Sequence, residues 1–304
     1  FLVADWGWRS AFAPPLLFGL FALFVVYKII PYRIGEIEVG FLRAFDWGGV
    51  GLLIPGISSL IFFLSSRPIT GIEPLEDWRL LLIATLFLAA FFWWEKRHSS
   101  PFMPLDLLAN SAFLRGSYCA SMRMVIMAGI TFLIPLYLVD VQQMQPAELG
   151  GMLMIGAGAM TLIVRIAGGW SDNWSSRWLV ATGLLVQMMV MLAFSQLPGD
   201  ASLWKIGLLL GAHGLGAGLM LATLHKNVMG SIEEHNTGAA AGLYGMFRFL
   251  GSAIGTALCG VLLQVQIEQQ AAIVEAYQQV FLTIAIFPLS GIIVAFSPRD
   301  QSGD

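Results

Sequence analysis

Residues 238–263 read GAAAGLYGMFRFLGSAIGTALCGVLL, an uninterrupted apolar stretch whose single charged residue is Arg248. A helix needs roughly 20 such residues to cross about 30 Å of hydrocarbon. Soluble cores rarely carry a run this long. Within it, Gly238, Gly242, Gly245, Arg248, Ser252, Thr256 and Cys259 recur every three or four residues, so they share one helical face. Small side chains on such a face let a second helix approach to backbone distance. Arg248 lies on the same face and is expected to point into the protein.

The pattern repeats along the chain. Apolar runs between polar breaks predict spans near 11–31, 44–65, 78–94, 116–139, 148–169, 178–197, 205–229, 238–264 and 278–297. Pro14, Pro15 and Pro146 open their helices, where a missing N–H is harmless. Pro55 and Pro288 fall mid-span and are expected to kink. In span seven, Gly207, Gly211, Gly214 and Gly218 form a second small face, with packing as the expected role and a flexible hinge as the alternative.

Composition agrees. The 304 residues are 57% hydrophobic and 12% charged, against about 25% charged in soluble chains. No ten-residue alternation marks barrel strands. Lipid satisfies no stray backbone group, so the fold class is an all-α integral membrane bundle. Net charge is −3, which supplies no basic face for nucleic acid. Cys119 and Cys259 sit apart in apolar runs and read as packing residues; no metal site or cofactor is expected.

Lys and Arg concentrate in cytoplasmic loops. With residue 1 outside, the inner segments hold Lys28, Arg33, Arg43, Lys96, Arg97, Arg115, Arg177, Lys226 and Arg299, and the outer ones only Arg9, Arg67, Arg79 and Lys205. Residue 1 is therefore expected outside, the C-terminus in the cytoplasm, and the protein in the cell (inner) membrane. The polar segment 95–115, with two prolines, is expected to run along the inner surface and separate three spans from six.

Three stretches together resemble a known family: FLIPLYLVDVQQMQPAELGGMLMIGAG (132–158), GGWSDNWSSRW (168–178) and HNTGAAAGLYGMFRFLGSAIGTALCGVLL (235–263). They look like the C-terminal half of a major facilitator superfamily transporter, in its fourteen-span drug:proton antiporter branch. DWGWRSAFAPPLLFGLFALFVVYKIIP (5–31) resembles that branch's sixth helix, and SSPFMPLDLLANSAF (99–113) its connector. The resemblance implies residues 1–31 as the last helix of an N-terminal bundle whose five earlier helices are absent. It makes 32–94 two linker helices, 95–115 the cytoplasmic connector, 116–298 a six-helix C-terminal bundle and 299–304 a tail. It implies a gating latch for Gly168, Asp172 and Arg177. The family pattern Asp-Arg/Lys-x-Gly-Arg is kept only at Asp172 and Arg177, so an ordinary tight turn stays open.

A charge at mid-bilayer costs about 2.5–3.5 kcal/mol on insertion scales, which makes intramembrane ionisable residues functional candidates. Arg123, Arg248 and His213, with Gln187, are candidates for a substrate or proton path. Arg165 lies on the face of Gly158, Thr161 and Gly169 and can snorkel to the inner surface. Structural readings stay open for the others: snorkelling for Arg123, carbonyl bonding for Arg248, a satisfied interior imidazole for His213. No acid lies deep in a span, so the cations either meet carboxylates on the absent helices or serve anionic substrates.

The function read here is secondary active transport, as proton-coupled efflux of drug-like or amphipathic molecules. Transport of anionic metabolites, or a non-transporting membrane scaffold, receptor or gene remnant, are the alternatives. No HExxH, Gly-x-Ser-x-Gly or paired acids support an enzyme. Expected partners are the lipid bilayer, a small-molecule substrate and a proton, with periplasmic adaptor proteins as a further candidate.

Overall fold

The computed structural model describes residues 6–29, 45–64, 70–72, 74–98, 101, 103, 106–233, 236–269 and 272–297, and leaves the side chains of Trp8, Pro146 and residues 171–173 undescribed. Of the residues named above, Arg33, Arg43, Arg67, His235 and Arg299 lie outside these limits, as does the side chain of Asp172. The described residues form helices and no strand. A 3-10 turn, Trp8–Phe12, leads into α1, Ala13–Ile29. Then follow α2 (Trp47–Leu64), α3 (Trp78–Glu95) and the short α4 (Asp106–Ala109). The remaining helices are α5 (Ser111–Asp140), α6 (Pro146–Asn173), α7 (Ser176–Phe194), α8 (Leu203–Gly230), α9 (Thr237–Glu268), α10 (Ile273–Ile284) and α11 (Phe287–Ala295). Among the described residues, nine helical segments are long and apolar enough to cross a membrane, with α10 and α11 forming one.

Helix starts differ most from the sequence expectation in two places. The helix of the fourth span starts at Ser111, five residues early, because Asn110 caps it: its Oδ1 accepts from Ala112 N and Phe113 N, both at 3.0 Å. The last span starts at Ile273 and breaks at Ala285 and Ile286, directly before Pro288 in the first turn of α11. Pro288 thus interrupts its helix, whereas Pro55 stays inside continuous α2 and Pro135 inside continuous α5.

Helices α5 to α11 pack with an internal two-fold pattern. α5 lies along α9 as α8 lies along α6, and α5 meets α11 as α8 meets α7. α5 and α8 therefore sit at the centre. The close approaches run through glycine. A Cβ at Gly255 would strike the Val125 backbone, and one at Gly214 the Gly156 carbonyl. A Cβ at Gly218 would come within 2.8 Å of Met160 O, and one at Gly207 within 3.1 Å of the Ile155 side chain. The small face of α8 is thus turned to α6. On α9 the outcome differs from expectation. Gly238, Gly242 and Gly245 have no described atom within 4 Å of a Cβ position, and the close contact is made one turn on, by Gly251 and Gly255. Gly251 and Gly255 lie outside the predicted seven-residue face, of which Cys259 stands beside Gly129 of α5.

Two ends of the bundle are defined by side-chain ties. At one end Tyr277 Oη donates to Asp140 Oδ2 at 2.5 Å, Gln142 Nε2 to Gly199 O at 2.9 Å and Gln278 Nε2 to Leu197 O at 2.8 Å. The tyrosine bond fastens α10 to α5 beside an edge-on ring pair with Tyr137. A hydrogen bond to a carboxylate contributes roughly 1.5–3 kcal/mol. Tyr277→Phe should accordingly lower stability by about 2 kcal/mol, read as a drop in the unfolding midpoint of detergent-solubilised protein. At the opposite end Asn110 Nδ2 donates to Ser231 O at 2.9 Å.

α2 and α3 pair as a hairpin, and Leu53 and Phe91 from this pair join the core that includes Phe113, Leu184, Met220 and Tyr244. Its lock is a buried Asp46, whose Oδ1 accepts from Gly49 N and Trp94 Nε1, both at 2.8 Å. Glu95, also buried, accepts from Met103 N at 3.3 Å, tying the hairpin to the connector. By contrast α1 buries none of its residues.

Candidate functional site

The central helices carry a cluster of polar groups inside an apolar bundle. Arg123 on α5 is only 2% exposed. Its guanidinium spends its donors on neutral groups: Nε to Ala217 O of α8 at 2.9 Å, Nη1 to Met124 Sδ at 3.5 Å and Nη2 to Met127 Sδ at 3.7 Å. Carbonyl bonding was weighed above for Arg248, and it is Arg123 that has it. No described carboxylate pairs with Arg123.

Arg248 on α9 is half-buried, with its guanidinium 5.7 Å over the Tyr244 ring. That geometry is a cation–π contact. Its Nε is buried and unpartnered among the described residues. Arg123 is bonded to Ala217 O, one turn along α8 from His213, and Arg248 lies on α9, which packs along α5. His213 on α8 is buried, and its Nδ1 has no described partner. An imidazole left with a free nitrogen can take a proton when water or a ligand reaches it.

Gln187 on α7 is fully buried, and neither atom of its amide finds a described partner. It makes no hydrogen bond to the cluster, so the structure keeps it as a separate buried polar group. Arg165 is exposed on α6, and a Cβ at Gly158 or Gly169 would meet no described atom within 4 Å. Of the four candidates, Arg123, Arg248 and His213 come together; Gln187 does not join them. Tyr244 is the member that sequence reasoning missed. Its signal was the four-residue spacing to Arg248, which puts both on one turn-to-turn row.

Beside the cluster lies an open cavity of about 380 Å³ lined by Met124, Met127, Thr131, Phe132, Ser252 and Thr256. The two thioethers that hold Arg123 are also walls of this cavity. Phe132 and Thr256 continue into a second space of about 640 Å³ between α2 and α9, floored by Ile61, Ala257 and Gly260. Methionine walls are soft and polarizable and adapt to ligands of different shape. Hydroxyls of Thr131, Ser252 and Thr256 add a few hydrogen-bonding points, the usual make-up of a small-molecule site.

The loop residues sit elsewhere. Gly168 and Asp172 lie in the last turns of α6, and Arg177 in the first turn of α7. Arg177 lines a third cavity at the Asn110–Ser231 end. Cys119 and Cys259 are free and buried. Among the described residues no group of three His, Cys, Asp or Glu side chains is placed to hold a metal ion.

Comparison with known proteins adds the ancestry. The model of the Major Facilitator Superfamily matches residues 1–256. The multidrug resistance protein Stp of Mycobacterium tuberculosis is 27% identical over 264 residues, covering 86% of this chain and 48% of that protein. The tetracenomycin C resistance and export protein of Streptomyces glaucescens is 25% identical over 262 residues, with 86% and 48% covered. The riboflavin transporter RibZ of Clostridioides difficile is 23% identical over 261 residues, with 84% and 54% covered. The chain spans about half the length of these curated relatives.

Proposed function

The chain belongs to the major facilitator superfamily, and from that premise we propose that the intact protein is a proton-coupled exporter of drug-like or amphipathic small molecules. It works by alternating access, with its two bundles rocking about a midplane site. The chain holds the half of that site built on α5, α8 and α9. The observation that carries the reading is a buried cation, Arg123, held by a carbonyl and two thioethers at the edge of a methionine-lined cavity. The relatives named for multidrug resistance and tetracenomycin C export support the substrate class.

In this reading the walls bind by dispersion and burial, while Arg123, Arg248 and the hydroxyls orient the polar end of the substrate. His213 takes a proton from the outer side when the cavity opens outward, and releases it to the cytoplasm when the cavity opens inward and substrate takes its place. The Lys and Arg tally supports the Asn110–Ser231 end as cytoplasmic, with Arg177 and the turn from Gly168 to Asp172 at the inner gate. The two arginines of the cluster also favour a second reading, export of anionic metabolites. In both readings the protein lies in the cell membrane.

The test is efflux by the full-length protein in inverted vesicles, with ethidium and an acidic dye as alternative probes and a protonophore added mid-course. Loss of efflux on collapse of the pH gradient is expected, and ethidium movement favours the first reading over the second. Unchanged efflux contradicts proton coupling. His213→Gln should abolish gradient-driven efflux while leaving substrate counterflow, which needs no net proton transfer.

A further inference from the structure

The third cavity, about 600 Å³, opens at the Asn110–Ser231 end among the starts of α5 and α7 and the end of α8. Three cationic side chains line it, Arg115, Arg177 and Lys226. They come from three helices, so the cluster is a product of the fold and not of one basic stretch. Arg115 is braced by Nη1 to Ser297 O and Nη2 to Ser111 Oγ, both at 3.4 Å. Ser176 Oγ donates to Asn227 Oδ1 at 2.9 Å across the rim, which leaves the Asn227 amide nitrogen as a donor.

Two further features mark the ligand. α7 begins at Ser175 without a side-chain cap, and Ser175, Ser176 and Arg177 all line the cavity. The first N–H groups of that helix are therefore donors with positive dipole at the cavity wall. Trp174 lines it as well, and Trp178 stands nearby with its ring edge-on to Phe296 at 5.0 Å. Both indoles are largely exposed, at 66% and 62%. Exposed tryptophans at the end of a spanning helix sit at headgroup depth. The cavity is therefore level with lipid phosphates, below the apolar wall formed by Cys119, Val180 and Leu224.

We propose that this cavity binds the phosphate of an anionic glycerophospholipid, with Arg115, Arg177 and Lys226 on the phosphate and the start of α7 as an additional donor. Basic pockets between spanning helices suit such headgroups. The site is separate from the Arg123 cavity, so lipid binding is tested apart from transport, while its effect on opening rests on the transport reading, in which Arg177 belongs to the inner gate. The occupant clamps α5, α7 and α8 together at one end, and its supply sets how readily that end opens.

The full-length protein, delipidated in detergent, is offered equal amounts of phosphatidylglycerol and phosphatidylcholine, and retained lipid is counted by native mass spectrometry. A parallel arm offers millimolar inorganic phosphate alone. Preferential retention of phosphatidylglycerol is expected, reduced about fivefold by Lys226→Gln or by Arg177→Gln and kept by Arg177→Lys. Equal retention of the two lipids by the unsubstituted protein overturns the proposal whether or not the variants fold. Binding of inorganic phosphate without preference for phosphatidylglycerol overturns the lipid assignment.

Discussion

Gly255→Leu should yield no folded protein, whereas Gly242→Leu on the same helix should fold with an unfolding midpoint close to that of the parent. Even the first atom of a side chain at Gly255 would strike Val125 O, with Val125 Cα 2.8 Å away. Backbone cannot rotate aside as a side chain can, so α9 would have to leave α5. That contact is one of the two longest seams of the bundle, and its counterpart runs through Gly214 and Gly156. Overpacking of a tight interior costs about 1–3 kcal/mol, and more where backbone is the obstacle. The cost here should reach the upper limit, and Gly214→Leu should match it. A Cβ at Gly242 would meet no described atom within 4 Å outside its own helix backbone. The check is the monodisperse peak and midpoint of each variant in detergent. Equal behaviour of the two α9 variants would contradict the packing described here.

Arg123→Ala should reduce transport at least tenfold, and Arg123→Lys should restore folding better than transport. The guanidinium joins α5 to α8 through Ala217 O, and its two terminal nitrogens reach thioethers that are themselves cavity walls. Truncation removes that bond, strands a buried carbonyl and leaves a void, together about 2–4 kcal/mol. Lysine keeps the charge but is a point donor and cannot make a divergent fork. If the charge alone mattered, lysine would transport as arginine does. Uptake into inverted vesicles, normalised to folded protein, separates the two. The tenfold figure corresponds to about 1.4 kcal/mol in the barrier, well within one lost charge-assisted bond.

Much of this was legible in the sequence because the bilayer imposes a length. Runs such as 78–94 and 205–229 declare themselves by size and polarity, and the helices found there differ only at their ends. Those ends depend on caps. Asn110 pulled the start of α5 back to Ser111, and Pro288 split the last span. Faces were half legible. Periodicity shows that glycines at 207, 211, 214 and 218 share a side, and equally that 238, 242 and 245 do. It cannot say which side another helix occupies, because that is set by partners far along the chain. The same limit hid Asp46, whose bonds to Gly49 and Trp94 exist only once the α2–α3 hairpin closes. Composition flagged Arg123, Arg248 and His213 as costly in lipid. It could not foresee that, among the described residues, two thioethers and a carbonyl would receive Arg123. Gln187 was the weaker candidate in the sequence, and its amide makes no described hydrogen bond to the cluster.

The account turns on the face of α5 and α9 beside Arg123 being a water-accessible substrate path and not a lipid-facing groove. Cys119 and Cys259 are buried, and with every native cysteine of the full-length protein replaced by serine, a cysteine placed at Thr131 can be labelled against a low background. Membrane-impermeant thiol reagent, applied from each side of vesicles holding the full-length Thr131→Cys protein, is the direct measurement. Labelling from both sides, slowed by transported substrate, is the expected result. Labelling only by a lipid-soluble maleimide, unaffected by substrate, would contradict it.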